Sequence, residues 1–125
     1  MAVLKRDSDY HTYADYLVWS HTYGDELING VAYSREPRSH TLLHQTILGE
    51  LLCQIGNALE DRPCHVCIAP LDIRLPKSNE EDDLVDTVVQ PDVFIVSDLG
   101  KFDERGLRGA PEWIAEVRRS RNPPR

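Results

Sequence analysis

At 125 residues the chain has room for one hydrophobic core and no second module. Its formal net charge of −7 at pH 7 argues against a general nucleic-acid-binding module, which needs clustered Lys and Arg to meet phosphates. No apolar run is long enough for a signal peptide or a bilayer span, so a soluble, cytoplasmic α/β unit without a membrane partner is expected. The odd set Cys53, Cys64 and Cys67 fits reduced thiols better than disulfides.

In chain order, residues 10–19 (YHTYADYLVW) carry mixed helical spacings that predict a short helix, with Ser8 and Thr12 as candidate caps. Residues 23–33 (YGDELINGVAY) flank Asn29-Gly30, the pair that best tolerates the positive φ of a tight turn, and predict a β-hairpin. From residue 39 to 60, Leu43, Ile47, Leu51, Ile55 and Leu59 recur every four residues with Leu48 and Leu52 alongside, predicting a long helix with one broad apolar face. Asp61-Arg62-Pro63 ends it.

Residues 64–75 (CHVCIAPLDIRL) alternate through Cys67, Ala69, Leu71, Ile73 and Leu75, which predicts a strand with Asp72 and Arg74 on its other face and an edge or bulge at Pro70. Residues 76–86 hold Glu80, Glu81, Asp82, Asp83 and Asp86 against one Lys77, a charge run expected to be a solvated loop. Residues 87–96 (TVVQPDVFIV) predict a strand covered on both faces, residues 97–111 a loop with a short helical turn, and residues 112–117 (EWIAEV) a further strand. The tail at 118–125 has no periodicity and is expected to be unstructured. The predicted domain is thus 1–117: N-terminal helix and hairpin, long helix, three strands.

Two carboxylates stand in these apolar strands, Asp92 and Glu116. Burying an ionised carboxylate is costly without a compensating cation or donors. On neighbouring strands the two can converge on one divalent ion, and oxygen-only ligation suits Mg²⁺ or Mn²⁺. The alternative is structural: Asp92 accepts local backbone N–H groups and Glu116 pairs with an arginine.

The ordered set YGDELINGVAY, Pro-Arg-Ser-His with His44 in the helix, PLDIRL, TVVQPDVFIVSD and RGLRGAPEWIAEV resembles the Uma-two family from about residue 23 to 117. That family is grouped with the PD-(D/E)xK nucleases. The resemblance implies a restriction-endonuclease-like α/β (α+β) fold, a mixed sheet flanked by helices, and a Mg²⁺- or Mn²⁺-dependent endonuclease acting on DNA, with homodimerisation expected from the superfamily. Pro91-Asp92 matches its "PD" and Glu116 its second acidic metal ligand. Glu26, His44 and Asp72 match positions with supporting roles. Family members continue past the glutamate with a Leu-Ser-Pro-Ser-Thr-like stretch and a lysine-bearing helix. Here Arg118, Arg119 and Ser120 follow, so a fold incomplete at its C-terminus is expected, as a frameshift or premature stop would leave. Arg118 holds the "ExK" lysine's spacing but does not easily release a proton.

Lesser signals are read structurally. Cys64-His65-Val66-Cys67 lacks the further ligands of a zinc site and fits small buried cysteines. His40 and His44, one turn apart, fit polar flank residues, and Trp113 fits the core. Two functions stay open: a metal-dependent endonuclease using Asp92 and Glu116, or a catalytically inactive truncated remnant or interaction partner of an intact relative.

Overall fold

A computed structural model describes residues 3–5, 9–19, 25–35 and 41–117; Ser8, Tyr23, residues 37–40 and residues 118–125 lie outside the described residues. Strand β1 (Val3–Lys5) is followed by helix α1 (Tyr13–Val18), which begins at Thr12, whose backbone N–H is accepted by Asp15 at 3.1 Å. The hairpin forms as expected from β2 (Asp25–Ile28) and β3 (Val31–Arg35), joined by Asn29 at φ 50° and Gly30 at φ 80°. Two positive φ values match the turn to the right-handed twist of the strands. The Tyr10 ring lies against Gly30, where a Cβ would come within 2.2 Å of it.

Helix α2 (Leu42–Ala58) is capped by Thr41, whose hydroxyl accepts the His44 backbone N–H at 3.1 Å. Its apolar face is only partly covered, by β4 (His65–Ile68): none of its residues is fully buried, and Leu42 is 83 % exposed. The chain continues through β5 (Ile73–Arg74), a 3-10 turn (Asp82–Leu84), β6 (Val88–Val89) and β7 (Val93–Val96). A second 3-10 turn (Leu99–Lys101), β8 (Phe102–Asp103), β9 (Gly106–Arg108) and β10 (Trp113–Ala115) complete it. A small hairpin, β8 with β9, therefore occupies the stretch expected to be mainly loop.

The result is a mixed α/β fold with a seven-stranded sheet in the order β1-β3-β2-β6-β5-β9-β8 and a three-stranded antiparallel sheet in the order β10-β7-β4. Among the described residues, only β5 and β9 run parallel within the larger sheet. Two prolines account for the layout. The run 64–75 does not form one strand: it serves the small sheet as β4, breaks around Pro70 and enters the large sheet as β5. The run 87–96 does the same in reverse, leaving the large sheet after β6 and entering the small one as β7, with Gln90-Pro91-Asp92 between. Proline has no N–H to give a ladder, so the pairing stops at both places. The two crossings lie side by side, since the Ala69 N–H donates to the Asp92 carbonyl at 3.0 Å.

Phe94 and Val96 from the small sheet pack with Ile73 and Leu107 from the large one, all fully or almost fully buried, and this cluster joins the sheets. A second cluster, Tyr13, Leu27, Ala32, Val85 and Val88, seats α1 on β2 and β6. Each large aliphatic or aromatic side chain among them contributes about 1.5–3 kcal/mol when fully buried.

Two expectations need correction here. Trp113 is not core: β10 is an edge strand and Trp113 is 44 % exposed. The acidic segment is not merely solvated, because Arg74 is fully buried and needs anionic partners. Arg74 donates to Asp82 at 2.5 Å and to Asp103 at 2.7 Å, Arg108 donates to Asp82 at 2.6 Å, and Lys77 to Asp86 at 2.9 Å. Burial alone would lower the Arg74 pKa, but the Asp103 hydrogen bond and the Asp82 charge outweigh it and hold it above its ordinary value.

Candidate functional site

Asp92 sits at the crossing between sheets, immediately before β7, and is 1 % exposed. Strand β10 runs antiparallel to β7 with Trp113 opposite Ile95 and Ala115 opposite Val93. Carried one residue further, that register sets Glu116 across from Asp92. Both acids thus lie just outside the ladder, each next to a residue of its last pair. Glu116, however, is exposed, not buried as expected, because it lies past the end of an edge strand.

The Asp92 carboxylate has defined partners. Its Oδ2 accepts the Val117 N–H at 2.7 Å, and Nε2 of His44, from the first turn of α2, stands 3.7 Å from the same oxygen. His44 is thus brought to Asp92. The N–H that reaches Asp92 comes from the end of the neighbouring strand, 25 residues away in sequence.

Glu26 and Asp72 reach Asp92's segment through Gln90. Glu26, nearly buried, accepts the Gln90 backbone N–H at 3.0 Å. Asp72 Oδ1 accepts both the Tyr16 hydroxyl and Gln90 Nε2, each at 2.7 Å, and the Gln90 amide also reaches the Tyr16 oxygen at 3.2 Å. Burial first, and then the Asp72 charge, push the Tyr16 hydroxyl far above its ordinary pKa, so it remains a donor. Sequence reasoning missed Tyr16 and Gln90. Gln90 offered a signal, as the one uncharged polar side chain in TVVQPDVFIV besides Thr87; Tyr16 offered none beyond its place on a helical face.

Among the described residues no group of three or more His, Cys, Asp and Glu side chains is arranged to hold a metal. A pair of carboxylate oxygens suits Mg²⁺, which keeps several waters and commonly takes only one or two protein carboxylates. Cys64 and Cys67 are free, half-buried thiols, and burial raises the pKa of Cys67. Of the lysines whose side chains are described, Lys77 binds Asp86 and Lys101 donates to the Ala110 carbonyl at 3.0 Å. His40 and Arg118 lie outside the described residues.

The molecule thus has a mixed α/β fold with two sheets. The model of the family described as Uma2, putative restriction endonuclease, matches residues 13–122, and the chain belongs to that family. No curated protein matches it. Among the described residues no helix is long and apolar enough to cross a membrane.

Proposed function

We propose that the chain is a metal-dependent endonuclease that hydrolyses DNA phosphodiester bonds, with Asp92 and Glu116 as the ligands of Mg²⁺ or Mn²⁺. The observation that supports this is the antiparallel pairing of β7 with β10, whose last pair, Ala115 with Val93, directly precedes Glu116 and follows Asp92, in a member of the Uma2 family. A divalent ion held by Asp92 and Glu116 would supply positive charge for a phosphate and a more acidic bound water. The chain's own residues do the rest: Val117 N–H fixes one Asp92 oxygen, His44 flanks that oxygen, and Glu26 and Asp72 hold the segment leading into it. A net charge of −7 limits nonspecific affinity, so binding to DNA is expected to be weak and lost early as salt rises. The homodimer implied by the superfamily belongs to the same reading and is testable by sedimentation.

A second reading, a catalytically inactive relative that partners an intact nuclease, is favoured by one observation: Lys77 and Lys101 are both engaged away from Asp92. Incubation of supercoiled plasmid with the protein separates the two. The endonuclease reading expects nicking that requires Mg²⁺ or Mn²⁺, stops with EDTA, and falls on the order of a hundredfold in Asp92→Asn and Glu116→Gln, since several kcal/mol of transition-state stabilisation is removed. Metal-independent nicking, or nicking unchanged in both variants, would sink it. Metal binding without any cleavage favours the inactive relative.

A further inference from the structure

We propose that Tyr16, Gln90 and Asp72 form a positioning device for Asp92, in which Asp72 acts as a hydrogen-bond acceptor and not as a metal ligand. The inference rests on the reading above and deepens it, by dividing the acids of the site into those that would hold the ion, Asp92 and Glu116, and one that aims Asp92.

Only Gln90-Pro91-Asp92 connects β6 in one sheet to β7 in the other, so the direction of the Asp92 side chain depends on how that short bridge is held. Its backbone and the Gln90 side chain are tied to the crossing alongside and to the first part of the chain. The Gln90 N–H goes to Glu26, the Gln90 side-chain amide to Asp72 and Tyr16, and the Asp92 carbonyl takes the Ala69 N–H. Asp72 is itself held at both ends. Its carbonyl accepts the Leu107 N–H at 3.0 Å, and Gly106, at φ +123°, passes so near that a Cβ there would lie 2.4 Å from the Asp72 carbonyl oxygen. Its side chain is taken by two donors on one oxygen, both at 2.7 Å. An acid clamped in this way functions as a fixed acceptor, a role that an amide oxygen can also fill.

The test uses the Val117 amide as a reporter, because its N–H is bound by the Asp92 carboxylate and reads the carboxylate's position without any metal. Amide hydrogen exchange is measured by NMR on the full chain and on Tyr16→Phe, Gln90→Met, Asp72→Asn and Asp72→Leu, with the β4–β7 ladder amides as internal control. Mn²⁺ binding is measured in parallel by calorimetry. The expected result is that Tyr16→Phe, Gln90→Met and Asp72→Leu each speed exchange at Val117 by about tenfold or more while the ladder amides change little, and that Asp72→Asn leaves both Val117 protection and Mn²⁺ affinity within about threefold of the parent. Loss of Mn²⁺ affinity in Asp72→Asn with Val117 still protected would make Asp72 a ligand and overturn the proposal. So would unchanged Val117 protection in Tyr16→Phe and Gln90→Met, or loss of protection throughout the ladder in both, which would make the contact merely structural. If the parent chain binds no Mn²⁺, the endonuclease reading fails, and the exchange data still decide whether these residues place Asp92.

Discussion

Val117 donates its backbone N–H to the Asp92 carboxylate at 2.7 Å, so the end of β10 is tied to the acid that precedes β7. One oxygen of a buried carboxylate thereby has a structural duty as well as any chemical one. Asp92→Asn keeps an acceptor for Val117 and is expected to melt within a few degrees of the parent while losing about tenfold or more in Mn²⁺ affinity. Asp92→Ala leaves the donor unsatisfied and is expected to cost about 1–3 kcal/mol as well. Thermal melting and calorimetry on the two variants check this; an Asn variant as unstable as the Ala variant would mean that the charge, not the acceptor, holds β10.

The acidic segment is expected to affect stability and not metal binding. Asp82 bridges buried Arg74 and Arg108, so Asp82→Asn should destabilise by about 1–3 kcal/mol with Mn²⁺ affinity unchanged. Glu81→Gln and Asp83→Asn, both on exposed residues, should change stability by no more than about 0.5 kcal/mol and leave affinity where it was. Denaturant unfolding with parallel metal titration decides it, and a fall in affinity from Glu81→Gln and Asp83→Asn would indicate diffuse electrostatic attraction in place of a site.

Glycine replacements should divide by position. Gly106→Ala meets the Asp72 carbonyl and an unfavourable φ together, and a loss of about 1–3 kcal/mol or more is expected. Gly49→Ala and Gly56→Ala in α2 meet nothing within 4 Å and should each stabilise by about 0.5–1 kcal/mol. Equal effects at the three positions, read from denaturant midpoints, would contradict the close approach of β9 to Asp72.

Acid should unfold the chain through Asp86 and Asp103. Burial pushes each pKa up, but the Tyr10 hydroxyl and Lys77 at Asp86, and Arg74 with the Arg105 N–H at Asp103, outweigh it, and both stay below the ordinary carboxylate range. A depressed folded-state pKa contributes stability that is complete above the unfolded value, roughly pH 4, and is lost as pH falls through the folded value. Melting temperature is therefore expected to be insensitive to these two groups from about pH 7 to about pH 5 and to drop below about pH 4, with a shallower drop in Asp103→Asn. An identical acid limb in that variant would remove Asp103 from the account.

What could be read from sequence was what local chemistry dictates. Asn29-Gly30 announced its turn because few other pairs accept two positive φ values, and the four-residue recurrence from Leu43 to Leu59 announced α2. Asp92 stood out as a charge in an apolar run, and the strand at 112–117 was legible in the run EWIAEV. Pro70 and Pro91 signalled a break in pairing, but a break does not say which sheet the chain joins next. Tyr16, Asp72 and Gln90 meet across 56 and 18 residues, a contact with no periodic trace. The acidic segment escaped for a related reason: its charge run was visible, whereas the burial of Arg74, which recruits Asp82 and Asp103, exists only once β5 lies between β6 and β9.

The paired crossings at Pro70 and Pro91 bear on how the molecule comes apart. Each of the two runs contributes one strand to either sheet, so neither sheet can dissolve while the other keeps both of its strands from these runs in place. Opening is then expected to be all-or-none across residues 65–96: β4, β5, β6 and β7 should share one free energy of exposure, with Asp92 at the seam between the sheets.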